Sequence, residues 1–200
     1  MTTNFKLYRR VILLVSSFLM LIHSAYAQDH PELKRNLDRF HVSYVKPKGY
    51  KEIDSIFKIT SFETGHLVGV SRYNLLSEDG KMMICVYFSG PIDTVGFRTL
   101  KLLSGKIYDV NKNYIPHNLS YELHSSSYSK KVYNADVSGF YDFPPGRLVH
   151  ILGPSEKCVT VFMHKENRLD IEVYYYYMNL SDTEVKKHLK RTEAMFKFLD

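Results

Sequence analysis

The clearest alternation of apolar and polar positions in this chain lies in two runs near its C-terminal end. Residues 156–164 (EKCVTVFMH) and 168–178 (RLDIEVYYYYM) flank Lys165-Glu166-Asn167 and predict a β-hairpin. Side chains alternate along a strand, so Leu169, Ile171, Val173, Tyr175 and Tyr177 share one face of the second run. Asp170, Glu172, Tyr174 and Tyr176 share the other. An earlier pair, 66–76 (HLVGVSRYNLL) and 81–88 (KMMICVYF), is joined by Ser77-Glu78-Asp79-Gly80, where Gly80 supplies the positive φ of a short hairpin loop. Both faces of 81–88 are apolar. Met82, Ile84, Val86 and Phe88 lie on one and Met83, Cys85 and Tyr87 on the other, which predicts a central strand covered on both sides.

Helical spacing marks the margins. Leu33, Leu37 and Phe40 follow Pro31 at helical intervals, and an extended HVSYV and a Pro47-Lys48-Gly49 turn come next. Residues 94–103 (TVGFRTLKLL) fit a helix burying Val95, Leu100 and Leu103. Residues 118–133 (NLSYELHSSSYSKKVY) fit another, although their serine cluster favours a loop. The last segment predicts a helix over 182–198, with Ser181 as N-cap and Glu184 completing a capping box. Val185, Leu189, Thr192, Phe196 and Leu199 form its buried stripe. The sum is one α+β domain, an antiparallel sheet of about five or six strands with flanking helices.

The N-terminus reads differently. Lys6, Arg9 and Arg10 precede the apolar run Val11–Ile22, and Ala25 and Ala27 stand in small-x-small spacing before Gln28. These are the parts of a secretory signal peptide, and the run is shorter than the roughly 20 residues a bilayer crossing needs. The expected organisation is a leader over 1–27 and a single domain over 28–200, with 28–50 open to being a loosely attached arm. The leader carries three of the 27 basic residues and no acid. The mature chain therefore holds 24 basic against 21 acidic residues, and the net charge of +6 falls to +3. That balance and export speak against a nucleic-acid partner, and no second apolar stretch reaches membrane length.

Part of the chain resembles known families. The strand, turn, long strand and capped helix ending in Phe196-Lys197-Phe198 are similar to the end of PsbP/Mog1-like sandwich domains. The segment from Phe40 and Tyr44 to Pro47-Lys48-Gly49-Tyr50 is similar to their opening strand and turn. Tyr133-Asn134-Ala135-Asp136, with the hairpin and helix after it, resembles small exported bacterial proteins of unknown function. The resemblance implies an accessory or binding module and no catalytic motif.

Candidate chemistry is sparse. Cys85 and Cys158 sit in predicted strands and, in an oxidising compartment, are either one disulfide or two core fillers. The eight histidines of the mature chain form no His-x-x-x-His pair, so no metal site and no cofactor is expected. Gly69-Val70-Ser71-Arg72-Tyr73 lacks the closing glycine of a nucleophile elbow. Four consecutive tyrosines put Tyr174 and Tyr176 on the face of Asp170 and Glu172. That face either supports a covering helix or forms an aromatic contact surface for a protein, peptide or glycan of the envelope. The leading expectation is an exported, periplasmic or secreted, non-catalytic binding module using Tyr174, Tyr176, Asp170 and Glu172. The alternative is a hydrolase of an envelope polymer, with a site assembled from His150, His164 and Asp136.

Overall fold

A computed structural model describes residues 30–60, 67–71, 73–89, 120–142, 152, 156–166 and 168–200. Its strands are β1 (Val42–Tyr44), β2 (Tyr50–Ile53), β3 (Phe57–Thr60), β4 (Leu67–Ser71), β5 (Tyr73–Ser77), β6 (Met82–Ser89), β7 (Tyr121–Leu123), β8 (Val137–Asp142), β9 (Lys157–Lys165), β10 (Leu169–Tyr177) and β11 (Phe196–Phe198). The helices are α1 (Pro31–Phe40), α2 (Ser126–Tyr133) and α3 (Asp182–Thr192). Seven strands form one sheet in the order β2-β5-β6-β10-β9-β8-β7, and every neighbouring pair is antiparallel. The fold is α+β, as the hydrophobic pattern predicts.

The hairpin of β9 and β10 and the two-faced strand β6 lie at the centre of this sheet. On one face Met82, Ile84, Val86, Ile171, Val173 and Tyr175 join Leu33 and Leu37 of α1, Tyr133 of α2 and Val185 of α3. On the other face Met83, Cys85, Tyr141, Cys158, Phe162, Tyr174 and Tyr176 form a second cluster. The three described helices all bury side chains against the first face. At Gly139 the sheet leaves no room for a side chain, since a Cβ there would lie 2.3 Å from the Glu122 carbonyl oxygen.

Four expectations change. The run 66–76 is two strands, because residues 67–71 pair with β3 while 73–77 pair with β2 and β6. The C-terminal helix begins at its capping box, with Ser181 N–H donating to Glu184 Oε2 at 2.8 Å, but it ends at Thr192 rather than 198. Phe196 and Phe198 then point the same way along β11, which pairs with β1, and both are buried while Lys197 is exposed. Residues 31–50 are no loose arm, for Leu33, Leu37, Val42, Tyr44 and Tyr50 belong to the main core. Within 118–133 the serines begin a helix, as Ser125 Oγ accepts from the Tyr128 N–H and caps α2. The leader at 1–27 and the helix expected over 94–103 lie outside the described residues. Among the described residues no helix is long and apolar enough to cross a membrane.

Candidate functional site

The face of β10 expected as an open contact surface is interior. Tyr174 and Tyr176 are 3% and 5% exposed, Asp170 is buried and Glu172 half-buried. Within the sheet Tyr174 sits between Cys85 and Thr160, and Tyr176 between Met83 and Cys158, and all of these but Thr160 join one buried cluster. The two tyrosine rings stack at 6.4 Å with their planes 18° apart. Tyr174 donates its hydroxyl to Glu172 Oε2 at 2.6 Å, and Tyr141 reaches Oε1 at 3.4 Å. Burial raises the Glu172 carboxyl above its ordinary range, against the lowering effect of the Tyr174 hydroxyl. These residues make a hydrogen-bonded aromatic layer inside the protein.

Of the expected hydrolytic set, His164 and Asp136 are backbone neighbours, the Asp136 N–H donating to the His164 carbonyl oxygen at 3.0 Å, but their side chains turn to different partners. His164 pairs with Asp170, its direct cross-strand neighbour, at 2.5 Å between Nδ1 and Oδ1, and both are buried. Asp136 instead accepts from the Glu166 N–H at 2.9 Å and from Lys165 Nζ at 3.4 Å, which ties β8 to the β9–β10 turn. His150 lies outside the described residues. The disulfide is also overturned. Cys85 and Cys158 are buried free thiols, with the whole of β10 between their strands. Two strand spacings are about 10 Å, beyond the roughly 7 Å between Cα atoms that a disulfide spans. Burial raises both thiols, the opposite of an activated nucleophile.

A different set of side chains meets at a cleft of about 320 Å³ between α1, the segment after β2, and β6. Leu33, Val86 and Phe88 give it apolar walls, and His30, Asn36, Asp54 and Tyr73 give it polar ones. Just behind, Glu52 gathers three partners. His30 Nε2 lies 3.2 Å from Oε2, Lys46 Nζ 3.3 Å from Oε1, and Tyr73 donates its hydroxyl to Oε1 at 3.4 Å. The Tyr44 and Tyr73 hydroxyls are hydrogen-bonded to each other, and the His30 ring meets the Tyr73 ring edge-on at 5.4 Å. Burial raises both phenols. The result is a polar wall whose groups are fixed in place before any ligand arrives. Residues 30, 52 and 73 share no motif and are joined only by the β2–β5 pairing and the seat of α1, so the sequence carried no signal for them.

Among the described residues no cluster of three or more His, Cys, Asp or Glu side chains is placed to hold a metal ion. The described residues form an α+β domain with an antiparallel sheet and a polar-walled cleft between α1 and β6. No family model, curated protein or solved structure matches the chain.

Proposed function

We propose that the protein is an exported, non-catalytic binding module of the envelope, and that the cleft between α1 and β6 is its ligand site. The observation that carries this reading is the prearranged polar wall, in which Glu52 holds His30, Lys46 and Tyr73 together beside an apolar floor. Fixed polar groups converging on a partly apolar concavity are the usual construction of a ligand site. Export is supported by the charged, apolar and small-residue parts of residues 1–27. A PsbP/Mog1-like arrangement is supported by the antiparallel sheet with its helices on one face. The hydrolase reading gains nothing from His164 and Asp170, which are too deeply buried to meet a polymer.

The test is a titration of the mature chain, residues 28–200, with soluble peptidoglycan fragments and with acetylated, amidated random hexapeptides, followed by amide NMR. The expected shifts fall on residues 30–36, 54–56 and 86–88 and vanish in Asn36→Trp, which fills the cleft. No shift with either probe, or shifts confined to another part of the sheet, would overturn the site. Separately, N-terminal sequencing of protein recovered outside the cytoplasm is expected to begin at Gln28.

A further inference from the structure

Two polar side chains of the cleft are left without a partner by the protein itself. Asn36, on α1, and Asp54, on the segment after β2, both line it. Among the described residues neither side chain takes part in a hydrogen bond or an ion pair. The neighbouring carboxylates are already matched. Glu32 pairs with Arg35 at 3.9 Å, and Glu52 holds His30 and Lys46. Apolar groups share the lining. Leu33 stands three residues before Asn36 and so lies on the same side of α1. Phe88 is half-buried, its ring meets that of Phe196 edge-to-face at 5.6 Å, and Ile56 is 64% exposed beside them.

We infer that the cleft binds a neutral sugar unit, its hydroxyls on Asn36 and Asp54 and its C–H face on Phe88 and Leu33. This deepens the proposed function and rests on the cleft being the ligand site. A hydroxyl both donates and accepts, an amide offers two donors and a carbonyl acceptor, and an ionised carboxylate only accepts. Asn36 can therefore serve two neighbouring hydroxyls, while Asp54 accepts from another in a charge-assisted bond. The C–H groups of a sugar ring form an apolar face that suits an aromatic wall. Charge points the same way. None of the described lining residues is Lys or Arg, and His30 is held by Glu52, so an anionic ligand would meet Asp54 with no free cation beside it. Asp54 is exposed, where one ion pair to a cationic ligand contributes little. The cleft, at about 320 Å³, is at the small end of ligand pockets of roughly 300–1,000 Å³, which suits a sugar unit better than a long chain.

The experiment titrates the mature chain with a panel of neutral mono- and disaccharides of the gluco, galacto, manno and N-acetylhexosamine types, followed by amide NMR. At least one is expected to shift residues 30–36, 54–56 and 86–88, with an affinity that hardly changes between low and high salt. Asn36→Leu, which keeps the volume, and Asp54→Ala, an exposed change, should each weaken that binding at least tenfold while leaving the urea midpoint in place. Saturation transfer from the protein should fall mainly on the C–H groups of one face of the sugar ring. Hexapeptides filling the cleft while every saccharide and peptidoglycan fragment fails would overturn the inference and leave the binding-module reading standing. Failure of all these probes would overturn both. Full saccharide binding by both variants, or an affinity that falls at least tenfold with salt, would also overturn it.

Discussion

His164 and Asp170 face each other across the β9–β10 hairpin, with the imidazole Nδ1 2.5 Å from the carboxyl Oδ1 and both side chains buried. A hydrogen bond in a desolvated place is costly to break, because the group left behind has lost water as well as its partner. Asp170→Ala is expected to destabilise the fold by roughly 1–3 kcal/mol. Asp170→Asn keeps a carbonyl acceptor and is expected to lose less. Urea unfolding of the two variants checks the order, and equal losses would show that the pair contributes only volume.

Two strand positions further along, Glu172 supplies a pH signature. Burial lifts its pKa above the ordinary value, so the folded protein holds this proton more tightly than the unfolded chain does. Its contribution to stability is full below the usual glutamate value of about 4.3 and is lost as pH rises through the raised folded value. Glu172→Gln cannot ionise. Its stability relative to the parent protein is therefore expected to improve as pH rises above the ordinary glutamate value, and to level off above the raised folded value. Unfolding at a series of pH values measures this, and a pH-independent difference would contradict it.

The free cysteines make a direct chemical prediction. Protein purified without reductant and then unfolded is expected to release two titratable thiols, from Cys85 and Cys158. In the native state both should react slowly, since burial disfavours the thiolate that attacks the reagent. Recovery of no thiol on unfolding would mean that the strands do not lie as described.

The C-terminal strand is tested by two truncations three residues apart. Phe196 is 1% exposed in the main core and Leu199 is 48% exposed. Phe196→Ala is expected to cost roughly 3–5 kcal/mol, the range for emptying a buried aromatic site. Leu199→Ala should stay within about 0.5 kcal/mol. A helix continuing to 198 would bury both residues on one stripe and make both substitutions harmful, so denaturant midpoints separate the two geometries.

What the residues disclosed by themselves follows the range of the forces involved. The capping box at Ser181 and Glu184, the turn at Gly80 and the alternation along β6 and β10 depend on neighbours a few positions away. Each was readable, down to which side chains share a face. The sequence also carried the α+β class, since strand and helix periodicities occupy separate segments. It did not carry the partners. Period-two spacing in 66–76 says that residues are extended, not that 67–71 and 73–77 pair with different strands. A tyrosine at 174 looks equally suited to a surface and to an interior, and only the folded chain decides that it is buried.

The aromatic pair at 196 and 198 fits a helix stripe or a strand face until β1, more than 150 residues away in the chain, chooses the strand. The cleft is the extreme case. His30, Tyr73 and Phe88 come from widely separated parts of the chain and line it together, with Glu52 just behind. Local chemistry wrote the elements of this protein. Long-range pairing decided which strands lie side by side, which cysteines stay apart, and which residues line the cleft.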